Sequence, residues 1–221
     1  MGPRGRARTG GRIVIVHLVE FRIKPGFEAE VVASLHHSAR VGKRPAGVLS
    51  HSVAHRLGHA HRRYIFACAW TDFEAWRRAL GADESPACLS LVAHRLDERR
   101  DCVVDVVASA GPSWEEGRVL RVYRAAVRAD DMEEWEARVR GPVAWLAERP
   151  GLVSVLVGPS WPRPEADSER TVYAISAWRE WSDVLSNTGG RIGRALSRTE
   201  LAGLERPLGV QHYELLSPPL E

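Results

Sequence analysis

Cysteine is scarce in this chain. Three of its 221 residues are cysteine, Cys68, Cys88 and Cys102, and their spacing fits no metal motif. A sparse, odd count with no export signal ahead of it is expected of reduced thiols, and so of a cytoplasmic protein. Long apolar runs are missing too. Ile13–Phe21 runs straight into charge and reads as a strand, not a membrane span or a signal. No Lys/Arg stripe with interleaved aromatics is present, which sets nucleic acid aside. The net charge of +3 and pI of 9.0 rest on Arg4, Arg6, Arg8 and Arg12, and the remainder of the chain is slightly acidic. That Arg/Gly-rich tail is expected to be disordered. No Gly-x-Gly-x-x-Gly follows a strand, and "NTGGRIG" (Asn187–Gly193) reads as a helix stop and turn, so no Rossmann-type flavin or nicotinamide site is expected. "HRLGHAH" brings His55, His59 and His61 together without nearby carboxylates, so no metal site is expected.

What is present is ordinary in bulk and unusual in pattern. Apolar residues make up 44% and charged residues 27%, as in a globular protein, but there are eight Trp. "YIFACAWTDFEAW" (Tyr64–Trp76) is echoed by "VYAISAWREW" (Val172–Trp181), Trp70 matching Trp178 at an offset of 108. The same offset sets Val104–Ser109 against His212–Ser217. "RPAGVLSHSV" faces "RPGLVSVLVG" at 104 to 105, the difference falling in a longer loop where Pro159, Pro162 and Pro164 argue against strand. The expected organisation is a basic tail at 1–12, one repeat at 13–109, a linker at 110–117 and a second repeat at 118–217.

Each repeat shows one order of elements. A β-branched run (Ile13–Lys24; Val119–Arg128) leads to an amphipathic helix. The helix stripe is Phe27, Val31 and Leu35 in the first repeat. In the second it is Met132, Trp135, Val139, Val143 and Leu146, with a kink expected at Gly141-Pro142 and a cap at Asp130-Asp131. A hairpin follows (Val48–Leu57 with Tyr64–Trp70; Leu152–Val157 with Thr171–Trp178). Then come a short helix (Asp72–Leu80; Glu180–Asn187), a further helical segment (Pro86–Arg99; Arg191–Leu204) and a last strand (Cys102–Ala108; Val210–Leu216). This is β-α-β-β-α-β, the ferredoxin-like arrangement, twice. The expected fold is therefore α+β, two tandem ferredoxin-like repeats packed sheet to sheet to bury the faces their own helices leave bare.

Three stretches, "VEFRIKPGFEAEV", "RPAGVLSHSV" and "YIFACAWTDFEAW", resemble the antibiotic biosynthesis monooxygenase domain of the dimeric α+β barrel superfamily. The second repeat matches at Pro150–Val155 and Val172–Trp178 but lacks the Pro-Gly after its first strand. The resemblance implies an intrachain counterpart of a two-chain barrel. It also implies an activity drawn from cofactor-free oxygenases of aromatic polyketides, haem-degrading oxygenases, cyclases and non-catalytic members. For haem cleavage the resemblance asks for an Asn on the first strand, a helix Trp and a His ten residues after it. Here the positions hold Val19, Trp76 and Pro86, with His94 eighteen residues beyond Trp76. Haem cleavage of that type is therefore not expected.

The histidines crowd the first repeat: His17, His36, His37, His51, His55, His59, His61 and His94, against His212 alone in the second. His51 and His55 share a strand face, and His51 is the expected general base toward a phenol or enol. Tyr64, Trp70, Trp76, His55, His94, Tyr123 and Trp178 are the expected substrate contacts. Trp70 and Trp178 either stack on a planar substrate or plug a helix against the sheet, and their recurrence favours the plug. Glu20 and Arg22 face the interface between the repeats or form its rim. The expected function is a cofactor-independent oxygenase of bacterial secondary metabolism, acting with dioxygen on an aromatic polyketide-like phenol or anthrone, as a monomeric pseudo-dimer or a homodimer. A cyclase or isomerase, a haem-binding oxygenase and a non-catalytic binding protein are the alternatives.

Overall fold

In the computed structural model, residues 14–41, 45–58, 62–80, 86–161, 168–193, 201 and 203–216 are described. The tail, His59, His61, Pro162, Pro164 and most of the expected helix over 191–204 lie outside them. Apolar alternation makes the first strand, β1 (Val14–Ile23), and helix α1 (Glu28–Val41) follows it. The hairpin is β2 (Val48–Arg56) and β3 (Arg63–Trp70). Helix α2 (Phe73–Ala79) starts at once because the Asp72 carboxylate accepts from the Ala75 N–H at 2.7 Å. A short helix α3 (Ala87–Ser90) precedes β4 (Leu96–Val106). After the small strand β5 (Ala108–Ala110), the second half runs β6 (Val119–Arg128), α4 (Met132–Arg138), α5 (Arg140–Ala147), β7 (Leu152–Trp161), β8 (Glu169–Trp178), α6 (Trp181–Thr188) and β9 (Glu205–Leu215).

The strands hydrogen-bond in the order β4-β1-β3-β2-β9-β6-β8-β7-β5. Each half supplies four neighbours in the ferredoxin-like order, β4-β1-β3-β2 and β9-β6-β8-β7. The halves join edge to edge, by β2 with β9 at one side and by β4 with β7 at the other. Alternation then divides the core into three layers. Ile15, Val19 and Phe21 of β1 point to the first half's helices, with Leu35, Trp70 and Trp76. Val16 and Leu18 point the other way and meet Leu120, Val122, Ile175 and Tyr213 of the second half. Tyr123, Ala125 and Val127 of β6 lie under Trp135, Val139, Val143 and Leu146 of α4–α5.

Four local expectations are corrected. β4 begins at Leu96, where a helix was expected, because it pairs with β1 as far as Ile23, and Arg22 bridges to Asp97 and Glu98 across that ladder. Pro159 lies inside β7. It stands where β7 leaves β5 for β4, just after Gly158, whose absent Cβ makes room for the Asp105 carbonyl, and a strand tolerates a missing N–H at such a change of partner. The α4–α5 break falls at Val139, one turn ahead of Pro142. Asp131 makes no side-chain cap bond, because it and Asp130 face Arg128.

The glycines opening the second strand of each half have a shared reason. Gly47 and Gly151 both hold positive φ, +94° and +81°, and a Cβ would meet Ala75 and Asp183 of the following helices at 2.4 and 2.0 Å. Gly151→Ala is expected to destabilise the protein by about 1–3 kcal/mol, from backbone strain alone. A urea titration that leaves the midpoint unmoved would contradict this.

Candidate active site under the second helical layer

On β6, Arg121 falls in the same phase as Val119, Tyr123 and Ala125, so a cation is carried to the helix-facing side of the sheet. Strand register flanks it with Ser176 of β8 and His212 of β9. Arg121 is 3% exposed. Burial pulls its guanidinium down to about 10, which leaves it charged at neutral pH. Arg121, Tyr123 and Ser176 form the floor of a cavity covered by Val139, Pro142, Val143 and Leu146. Leu201 and Glu205 close its side. Its volume is about 50 Å³, room for a diatomic gas or a few waters.

Glu205 is held from two directions. The Tyr123 hydroxyl donates to its Oε2 at 2.9 Å, and the Trp135 indole N–H donates to its Oε1 at 2.7 Å. Burial, with the Glu205 charge and hydrogen bond, pushes the Tyr123 phenol well above its ordinary range. The phenol therefore stays protonated and serves as a donor to the carboxylate. Trp178 is fully buried and donates its indole N–H to Ser176 Oγ at 3.0 Å. It packs as a plug with Val119 and Val184 and orients a cavity hydroxyl without lining the cavity.

Among the described residues His212 Nε2 is buried without a hydrogen-bond partner, and the ring packs edge-on to Trp181. Burial first, then the Arg121 charge, pulls its pKa from 6.5 to about 4. The folded protein thus leaves His212 neutral where the unfolded chain protonates it. Stability is expected to fall as pH drops from about 6.5 toward 4, and His212→Gln to flatten that loss. Denaturant midpoints of both proteins across this window check the sign, and identical slopes would refute it.

The matching place in the first half is filled. The pairings Ile15↔Trp70 and Val119↔Trp178 put His17 at the position equivalent to Arg121. Trp76 inserts its indole there and donates to His17 Nδ1 at 3.2 Å, which assigns the imidazole proton to Nε2, 3.1 Å from Asp101 Oδ1. Arg99 grips the same carboxylate with two bonds of 2.7 Å. Burial would raise the Asp101 pKa, but the bonds from His17 and Arg99 outweigh it and hold it below the ordinary value. Phe73 packs tilted and Trp161 edge-on against Trp76, so among the described residues ring systems crowd the space beside it.

The other expected residues are dispersed. His51 sits half-buried on β2, where its backbone N–H donates to Glu115 Oε1 at 2.9 Å and its Nδ1 lies 3.9 Å from the same oxygen. It does not line the cavity. His55 packs 5.0 Å from the Tyr64 ring, which stacks on Phe21. Trp70 is buried in the first half's core. His94 is exposed on a turn, where its carbonyl accepts from Lys24 Nζ at 2.7 Å. Of the expected set, only Tyr123 lines the cavity. Among the described residues no three His, Cys, Asp or Glu side chains converge as a metal site, and no helix is long and apolar enough to cross a membrane. Arg121, Ser176, Trp135 and Glu205 were not anticipated. Only Arg121 carries a visible signal, a charge in phase with the apolar side of β6.

No protein-family model matches the sequence, and no curated protein sequence does. Solved structures do match. A Lactobacillus acidophilus protein proposed to be a monooxygenase aligns over 92% of this chain and 93% of its own, with 13% identity and a TM-score of 0.66. An anthrone oxidase-like protein aligns over 94% and 93%, with 12% identity and a TM-score of 0.64. A ferredoxin-fold protein of Listeria monocytogenes related to antibiotic biosynthesis monooxygenases aligns over 90% and 94%, with 10% identity and a TM-score of 0.50. The chain has the fold of the antibiotic biosynthesis monooxygenase-like proteins. In this fold the described cavity lies between sheet and helices of the second half, with its cation on the first strand of that half.

Proposed function

We propose that the chain is an oxygenase working in the second-half cavity on an organic substrate with an acidic C–H or O–H. The chain then acts as a tandem pair of ferredoxin-like halves closed into an α+β barrel, with one half catalytic. The observation that carries this is the Tyr123–Glu205 pair beside buried Arg121 in a mostly apolar pocket. Removing water strengthens each of these charges and dipoles. Glu205 takes the substrate proton through Tyr123, whose own proton moves to the carboxylate as the substrate's arrives. The electron-rich carbanion reduces dioxygen directly, so that a CH2 group and O2 become C=O and H2O without a cofactor. The base is thus Glu205, in the place that composition alone assigned to His51.

A phenol or anthrone of polyketide type, in the secondary metabolism of a bacterial cytoplasm, fits this chemistry, and one fold neighbour is anthrone oxidase-like. The resting volume of about 50 Å³ is well below the ~300–1,000 Å³ of ligand pockets. A ring therefore enters as Pro142, Val143 and Leu146 move outward, while dioxygen fits without movement. Oxygen uptake by the metal-free protein with anthrone-type substrates tests the proposal. Turnover without oxygen assigns the site to an isomerase or cyclase, and no turnover with any such substrate leaves a binding protein.

A further inference from the structure

We propose that Arg121 and Ser176 form an oxyanion subsite at the floor of the cavity, which selects a conjugated substrate with an oxygen on one side of a ring and an acidic carbon on the other. This rests on the reading of the cavity as the active site. Arg121 and Ser176 are directly paired in the β6–β8 ladder and both line the cavity, so their side chains start about 5 Å apart on one face. The Ser176 oxygen already accepts from Trp178 at 3.0 Å, which leaves its own proton to donate. A guanidinium and a hydroxyl donor thus stand together, and His212 beside them carries no charge of its own to offset an anion at neutral pH.

Across the cavity stands the opposite chemistry. Tyr123 is two residues from Arg121 on the same strand face, about 7 Å along the strand. Its hydroxyl leads to Glu205, whose two oxygens are already engaged. One end of the floor therefore stabilises negative oxygen and the other accepts a proton, separated by about the width of one ring. Ionisation at carbon delocalises through such a ring onto the far oxygen, where Arg121 holds it. Donors placed where charge develops, not where it starts, lower the barrier. A substrate with its oxygen beside its acidic carbon spans too little of the floor to use both groups.

The probe is 4-nitrophenol, a single ring whose ionised form absorbs visible light. The wild-type protein is titrated with it at pH values below the free phenol's pKa. The expected result is saturable binding with the spectrum of the phenolate, and a bound pKa displaced downward. Arg121→Met is expected to weaken phenolate binding about 10- to 100-fold and to abolish the displacement, as loss of a hydrogen bond to a charged group does. Arg121→Lys, which keeps the charge, is expected to recover part of it. Binding of the neutral phenol, absence of binding, or a folded Arg121→Met protein that binds the phenolate as tightly as wild type would each overturn the subsite. Because the wild-type spectrum is itself decisive, a variant that fails to fold does not remove the test. Phenolate binding that persists where oxygen uptake fails would sink the oxygenase reading and keep the subsite.

Discussion

Glu205→Gln is expected to slow oxygen uptake by about 10²–10⁴-fold, the range lost with a positioned general base. The substitution keeps the side chain's shape and removes its charge. In the native cavity each carboxylate oxygen accepts one hydrogen, from Tyr123 and from Trp135. An amide matches only one of these donors, because its nitrogen presents hydrogens to the other. The phenol then has no acceptor able to take its proton, and the relay stops at Tyr123. The loss is expected in kcat, with KM little changed, because the carboxylate acts on the proton in flight and not on the resting substrate. A folded Glu205→Gln protein with full turnover would refute Glu205 as the base and return attention to His51 and its neighbour Glu115.

Trp76→Ala is expected to cost about 3–5 kcal/mol of stability, as for other buried tryptophan truncations. Two losses combine. The indole sits among Phe73, Trp161 and His17 in a buried layer, so its removal leaves a void that these rings only partly fill. It also takes away the N–H that satisfies His17 Nδ1, and a buried imidazole nitrogen left without a donor is costly. Trp76→Phe separates the two, since it keeps most of the volume and loses only the bond. Urea unfolding measures both. Oxygen uptake is expected to survive Trp76→Ala, because the second-half cavity uses none of these groups. Loss of uptake in a folded variant would place the working cavity in the first half.

The fold was legible because its devices are local and occur twice. Trp70 and Trp178, the apolar phase of β1 and β6, and Gly47 and Gly151 each report a backbone need that the chain meets at matched places. The extent of β4 was not legible, because Asp97–Asp101 is charged enough to look like a helix flank and becomes strand only through pairing with β1. Histidine number points to the first half, whereas the described cavity is lined by residues of the second. Six residues after Trp70 stands Trp76, and six after Trp178 stands Val184, a difference of one ring system at one helix position. Arg121 was readable as a charge out of phase with its polar neighbours. Glu205 was not, since the bond from Tyr123 spans 82 positions and no periodicity links them.

The edge-to-edge joins, β2 with β9 and β4 with β7, also bear on how such a protein can change. Where two identical chains pair, every substitution appears in both cavities at once, so a filling residue closes both. Covalent linkage lifts that symmetry. One half is free to trade its cavity for packing, as the indole at Trp76 does, while the other keeps a charge such as Arg121 under cover. On the proposed function, the stability gained on one side then offsets the strain and desolvation that chemistry would require on the other.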